Sequence, residues 1–421
     1  MIAPTPPRLR ADWTLLVPLF IGLVLRAAAM SVGSGAFEDP DNYLPLARSV
    51  ARGEGLAWKG RPTAYRPPLY PLMLAPIVRL ADPRPNPAIA VLHLIFGAAT
   101  TWQATMAARR WGLGDRRALA AGLIVACDPV LVWQSRFIMT ETLGALLVAA
   151  AVAELARPGF RGLLGGGLAL GLSSLCRPSL LPGAGLVVAA ALAVGPGTAR
   201  RRAAHALALS GIILVVLAPW ALRNAIALGE PVWTTTHGGY TLALANNPTY
   251  FRDVLDSAGA EVWTGDDQWN WWDSVNRATA GMTEPEADRF LRDSVLRLVA
   301  ERPRVFARAC LDRLARFWGL APAQPVYSAR VRVASAAWTG PLWAALLVGL
   351  LNRKAWRWPR IAAPAAILGL TMVHVFYWTD LRMRAPIVPA IALVAAAAEL
   401  PIPGRIRRRP PAPSPSGRTE R

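Results

Sequence analysis

The stretch WTLLVPLFIGLVLRAAAMS at 13–31, followed by VGSGAFEDPD at 32–41, decides how this chain reads. A helix rises 1.5 Å per residue, so about 20 apolar residues cross a hydrocarbon layer ~30 Å thick. The first part has that length and composition. The second places Glu38, Asp39 and Asp41 where the chain leaves the apolar segment. Outward from here the same alternation recurs. Candidate spans follow at 88–108, 118–134, 138–156, 162–176, 181–195, 204–221, 336–351, 361–378 and 385–401. The segment 68–80 is apolar, short and proline-rich, and reads as re-entrant or interfacial. Of the 421 residues, 54% are apolar and 17% charged, too little polar surface for several soluble cores. The fold class expected is an all-α polytopic membrane protein with about ten spans.

The charges between spans alternate. One set of loops holds Arg109, Arg110, Arg116 and Arg117, then Arg157 and Arg161, then Arg200, Arg201 and Arg202. Arg353, Lys354, Arg357 and Arg360 follow, and the tail adds Arg405, Arg407, Arg408 and Arg409. Short, densely basic loops belong in the cytoplasm. That sets both termini inside and the long loops 32–87 and 222–335 outside, in a multi-pass inner (plasma) membrane protein. Arg8 and Arg10 before the first span, with Ala27 and Ala29, also fit a signal peptide. A retained helix is the reading preferred here, because the rest of the chain is membrane-embedded too.

The net charge of +20 has no basic stripe interleaved with a nucleic-acid-binding motif, so the expected partner is the lipid bilayer and not nucleic acid. Cys127, Cys176 and Cys310 are far apart and read as small buried hydrophobes. In the second outer loop, Thr283-Glu284-Pro285-Glu286 is a capping box that opens a helix through about Ala300. Beyond Pro303, the stretch Arg304–Trp318 is basic and amphipathic and reads as an interfacial helix. The organisation expected is a transmembrane module 1–221 with a catalytic first outer loop at 32–87, an outer loop region 222–335, C-terminal helices 336–402, and a disordered basic tail 403–421.

Arginine also stands on the unfavoured side. Arg66, Arg136, Arg177, Arg223, Arg382 and Arg384 fall at outer span ends, where positive charge is disfavoured. Each alone can snorkel to lipid headgroups or pair with a local acid. As a set they suit a phosphate, which the guanidinium fork binds bidentately. The acidic cluster Glu38-Asp39-Pro40-Asp41 is either a solvated turn or the source of a general base. Glu141 either assists a helix N-terminus through Thr140 or faces the same cavity as Asp39.

These residues, in this order, carry a resemblance. Asp39 to Tyr43 leads into Leu46-Ala47-Arg48 and Gly53-Glu54-Gly55. Then come Tyr65-Arg66-Pro67-Pro68-Leu69-Tyr70-Pro71, Asp128-Pro129 with Thr140-Glu141, and Arg177-Pro178. Pro219-Trp220 with Arg223-Asn224, Gly238-Gly239 with Asn246-Asn247-Pro248, and Arg384-Ala385-Pro386 complete the series. The chain resembles the GT-C superfamily of membrane glycosyltransferases, and within it glycosyltransferase family 39, the protein O-mannosyltransferases and lipid A aminoarabinose transferases. The resemblance implies a GT-C type helical bundle with interfacial helices on its outer loops. It implies transfer of a sugar from a polyprenyl-phosphate donor, undecaprenyl in a bacterium, to a lipid, glycan or protein acceptor on the outer face, with inversion. Asp39, four residues before Tyr43, takes the place of the family's base, with Asp41 as the alternative and Glu141 as an assisting acid. Arg66 would contact the phosphate beside Tyr65, with Arg136, Arg177, Arg223 and Arg384 as further contacts.

No cofactor is required on this reading, with a divalent metal as the alternative. Tyr65 stands where the lipid A enzymes carry an acid, and His237 and His374 lie apart, so no metal ligands are assigned. Trp263, Trp269, Trp271 and Trp272 suit interfacial anchoring or stacking on a sugar. A flippase for a lipid-linked saccharide is the alternative: it would use the same arginines without a base.

Overall fold

The computed structural model describes residues 12–32, 36–252, 266–322 and 327–399. Arg8, Arg10, Trp263 and the basic tail 403–421 lie outside these residues. The first helix, α1 (Trp13–Ser31), leads into the first long loop. That loop carries α2 (Tyr43–Ala51), a small hairpin of β1 (Ala57–Trp58) and β2 (Arg61–Pro62), and α3 (Leu69–Ala81). The hairpin is antiparallel, with Ala57 opposite Pro62 and Trp58 opposite Arg61. A helical body follows: α4 (Asn86–Arg110), α5 (Asp115–Cys127), α6 (Pro129–Gln134), α7 (Glu141–Leu155), α8 (Gly159–Cys176), α9 (Leu181–Val194) and α10 (Ala199–Leu228). The second long loop holds α11 (Gly238–Leu244), α12 (Pro248–Tyr250), α13 (Asp266–Ala278), α14 (Glu284–Glu301) and α15 (Pro303–Phe317). The chain closes with α16 (Ala329–Leu351), α17 (Ala362–Phe376) and α18 (Val388–Ala396).

Among the described residues, four helices, α1, α4, α10 and α16, are long and apolar enough to cross a membrane by length and composition. The expected figure of about ten spans is therefore not supported, although each expected segment is helical. The reasons are local. The span placed at 118–134 breaks at Asp128, whose side chain accepts from the N–H groups of Val130 and Leu131 and so starts α6 as a new helix. The last expected span shortens to the nine residues of α18, because 381–387 forms a tighter 3-10 turn. Helices α7, α9 and α17 have 15, 14 and 15 residues, about 21–23 Å of rise and short of the ~30 Å layer, and α7 is also largely buried in the bundle. The segment read as re-entrant or interfacial is the 13-residue helix α3, which packs on α2 and α4.

The basic loops gather at one end of the body. Arg109 pairs with Asp12 at 2.6 Å, Arg110 with Glu154 at 3.5 Å, and Arg117 with Glu399 at 3.1 Å. Lys354 reaches Glu399 at 3.7 Å, and Arg360 donates to the carbonyl of Trp111. The alternation of loop charge along the sequence is thus an alternation in space. The polytopic body follows from it.

Small residues allow a close helix approach where α17 crosses α9. A Cβ on Gly369 would overlap the backbone of Gly183. Gly369→Ala must push the two helices apart, at a cost of about 1–3 kcal/mol. The expected result is a lower unfolding midpoint in detergent. An unchanged midpoint would mean that the crossing is looser than described.

Candidate functional site

The loop before α2 and the connection between α6 and α7, which carry the acids, are joined by backbone hydrogen bonds. Phe37 N–H donates to the carbonyl of Arg136, and Ile138 N–H donates to that of Glu38. This short ladder sets Asp39 and Glu141 on the same side of the body. Phe37 and Asn42 have positive φ, 65° and 59°. For asparagine that region is tolerated; for phenylalanine it is unusual and marks a turn held by its surroundings. Phe37 is fixed by its bond to Arg136 and by packing under His93. His93 is itself tied between the Tyr70 hydroxyl at 2.7 Å and the Ser135 carbonyl at 2.8 Å.

The turn starts α2. Asp39 accepts from the N–H groups of Tyr43 at 2.8 Å and Leu44 at 2.7 Å, one on each carboxylate oxygen. Burial pushes its carboxyl above the ordinary carboxylate range, against those two bonds. Asp41, next in line, pairs with Arg66 at 3.0 Å. Glu141 is fully buried and faces Arg177 across 3.0 Å, a distance without hydrogen-bond geometry. Arg177 also donates to the Thr140 hydroxyl at 3.0 Å. Thr140 therefore does not cap α7 with its side chain, as the sequence suggested; it orients the arginine. Tyr43 lies in the electrostatic reach of Asp41, Arg66, Arg177 and Glu141 together, so these groups form one cluster around it.

The remaining arginines separate from this cluster. Arg223 gives its donors to the carbonyls of Leu56 at 2.6 Å and Thr63 at 2.9 Å, and to Asn224. It pins the first-loop hairpin to α10. Arg384, almost fully buried, donates to the Gly319 carbonyl at 2.6 Å and lies over the Trp343 ring. Arg136 is buried over the Trp133 ring at 4.1 Å, and its Nε has no partner among the described residues. As arranged, Arg223 and Arg384 have structural partners where the sequence suggested phosphate contacts. Arg136 enters the site through its carbonyl.

Several groups at the site went unread in the sequence. Glu284, the first residue of α14, accepts from the Thr63 hydroxyl at 2.5 Å, Ala64 N–H at 2.9 Å and the Thr236 hydroxyl at 2.9 Å. It thereby holds the segment that ends in Tyr65 and Arg66. The capping box itself is present as expected, between Thr283 and Glu286. His237, read as isolated, touches Arg66 Nη1 at 3.4 Å and packs on Tyr65 and Tyr240. Burial, and then Arg66, hold its imidazole well below the usual histidine range, so it is neutral. Arg382, already read among the arginines at outer span ends, pairs with Asp380 at 3.1 Å and contributes to the field at Glu141, a pairing the sequence did not assign. Asp380, two residues before it, caps the 381–387 turn through Arg382 N–H. The basic helix α15 matches its expected span, but it buries Arg313 and Phe317 against the body and does not lie wholly on a surface. Trp269 and Trp272 are exposed side by side, whereas Trp271 turns inward onto Tyr240.

A metal finds little here. Among the described residues no three His, Cys, Asp or Glu side chains are grouped to hold an ion. Asp39 commits both oxygens to N–H groups and Asp41 is paired with Arg66. The three cysteines are free, with Cys176 buried and Cys127 and Cys310 half-buried.

No family model and no curated protein matches the chain. Solved structures do. The chain superimposes on the Archaeoglobus fulgidus oligosaccharyltransferase in its apo form with a TM-score of 0.54 at 15% identity, over 93% of this chain and 51% of that one. The same enzyme tethered to an acceptor peptide gives 0.53 at 13% identity, over 92% and 49%. Its complex with zinc and sulfate gives 0.51 at 15% identity, over 91% and 48%. The chain spans about half the length of that enzyme. At these identities the likeness is one of fold. The class is an all-α polytopic membrane protein with the fold of that archaeal oligosaccharyltransferase.

Glu284→Ala removes three hydrogen bonds to a carboxylate and releases the 63–66 segment, costing about 3 kcal/mol. The expected result is faster chymotryptic cleavage after Tyr65, with a lower unfolding midpoint. Cleavage at the wild-type rate would show that the segment is held some other way.

Proposed function

We propose that this chain is an inverting glycosyltransferase that moves a sugar from a polyprenyl-phosphate donor to an acceptor on the outer membrane face. The observation that carries this reading is the gathering of Asp39, Asp41–Arg66 and Glu141–Arg177 around Tyr43. The archaeal structures with the same fold, by their description an oligosaccharyltransferase, support the class of reaction. The finer likeness to glycosyltransferase family 39 rests on the sequence motifs alone.

The chemistry follows from the geometry. Asp39 takes the acceptor's proton. The freed oxygen attacks the anomeric carbon, and the carbon–oxygen bond to the phosphate breaks on the opposite side. The leaving polyprenyl phosphate gains a second negative charge as it departs. Arg66 and Arg177 interact more strongly with that dianion than with the donor's monoanion, so they favour the transition state over the bound donor. Asp41 holds Arg66 toward the phosphate, and neutral His237 braces it without adding charge. Glu141 sets Arg177 and orients the acceptor. Two N–H groups fix Asp39 in place, and burial raises its proton affinity toward that of a working base.

Reconstituted protein with a radiolabelled polyprenyl-phosphate sugar, and a membrane and cell-wall extract as acceptor, tests the roles. Asp39→Asn should lower kcat about 100-fold or more. Asp41→Asn should act mainly on KM for the donor, because it loosens Arg66. Full transfer by both variants would sink the proposed base.

The pH profile is a separate check. A base works only when deprotonated, and the Asp39 carboxyl lies above its ordinary value of about 3.9. Transfer should therefore fall, as pH is lowered, at a higher pH than a free aspartate would set. That acid limb should vanish from the residual activity of Asp39→Asn. An acid limb unchanged in the variant would assign it to another group.

A further inference from the structure

A cavity of about 370 Å³ lies in the second outer loop, between α11, α12, α13 and α14. That volume is in the range of small-ligand pockets, roughly 300–1,000 Å³. Its walls have a distinct chemistry. Asn246 is 1% exposed and lines the cavity. Its amide nitrogen donates to the carbonyls of Leu242 at 2.8 Å and Phe376 at 2.9 Å. That fixes the side chain and leaves Oδ1 buried, with no partner among the described residues. A buried acceptor without a donor costs about 1–3 kcal/mol, which an incoming hydroxyl would recover. The Ser274 hydroxyl donates to the carbonyl of Trp271 at 2.6 Å, so its oxygen also remains as an acceptor toward the cavity; the Ser294 hydroxyl donates to the Phe290 carbonyl at 2.7 Å, and its oxygen already accepts from Arg297 at 3.2 Å. Trp271 supplies an aromatic wall, held by Tyr240 at 5.8 Å between ring centroids. Arg297 and Glu301 bring opposite charges to the lining, which is therefore neutral in sum.

Acceptor oxygens beside an aromatic face, without net charge, match a neutral polyhydroxylated ligand and not a phosphate. The position agrees. Helix α11 runs from His237, which touches Arg66, to Asn246 at the cavity. Its seven residues rise about 10 Å, the reach of one or two sugar rings. We propose that this cavity binds the acceptor, and that the acceptor is a neutral saccharide whose end reaches the Asp39–Arg66 cluster. The proposal deepens the glycosyltransferase reading and rests on it for the word acceptor; the saccharide site itself does not.

The test uses full-length protein in nanodiscs and two separate binding measurements. Saturation-transfer NMR with maltotetraose, cellotetraose and mannotriose reads the cavity. Binding of radiolabelled undecaprenyl phosphate reads the arginine cluster. At least one oligosaccharide should bind the wild type. Ala278→Trp, which fills the cavity from its exposed lip, and Asn246→Leu, which removes the lone acceptor, should each weaken that binding about tenfold. Both should leave undecaprenyl phosphate binding unchanged, which also shows that the variants are folded. Arg66→Ala should do the reverse. No binding by any of the three sugars, or equal binding by wild type and Ala278→Trp, overturns the saccharide site. Saccharide binding that is intact while undecaprenyl phosphate fails to bind the wild type would instead overturn the donor reading.

Discussion

A guanidinium removed from water must find acceptors, and that requirement organises this protein. The desolvation penalty is several kcal/mol per ion, more than one hydrogen bond returns. The chain buries arginine repeatedly and answers the demand in two ways. Arg26 donates to the carbonyls of Gly22, Val125 and Ala126, and so closes the end of α5 from within α1. Gly97 leaves the room it needs, since a Cβ there would strike its side chain. Arg313 does the same for the ends of α11 and α17, through the carbonyls of Ala245 and Val375. Arg223 and Arg384 belong to this structural group. Arg66, Arg177 and Arg382 instead meet carboxylates, and these are the arginines around Tyr43 and Glu141.

The distinction has a chemical consequence. A guanidinium held by backbone carbonyls is fixed in place by the fold, even where one donor, such as the Arg26 Nε, has no partner among the described residues. One held by a carboxylate, partly open to solvent, can share its remaining donors with a second anion. Arg66, half-buried between Asp41 and His237, is of this kind. The carboxylate partner also keeps the site close to neutral before a ligand arrives, so an anion is drawn to specific donors and not to a diffuse positive surface.

Much of this was legible in the sequence, for physical reasons. Apolar runs and loop charge report directly on where helices and their ends lie, so the helices and the clustering of basic loops emerged close to where they were placed. The acids Asp39, Asp41 and Glu141 stood out because carboxylates beside an apolar segment have no packing reason to be there. Arginine partners were not legible. Arg223 and Arg66 look alike in sequence, and only the fold brings Leu56 and Thr63 to the first and Asp41 to the second. Span count failed at Asp128 and before α18, where a cap and a 3-10 turn interrupt apolar runs that composition alone joins. Glu284 was read as part of a cap because its long-range partners, Thr63 and Ala64, are far away in the chain.

That distance has a bearing on biogenesis. Thr63 emerges from the ribosome 221 residues ahead of the carboxylate that will hold it. At about 5–20 residues per second, translation leaves the first loop without its clasp for roughly 10–45 seconds. The nascent protein thus inserts most of its helices before the Tyr65–Arg66 segment can settle, and a message truncated before Glu284 would yield an inserted chain lacking that clasp.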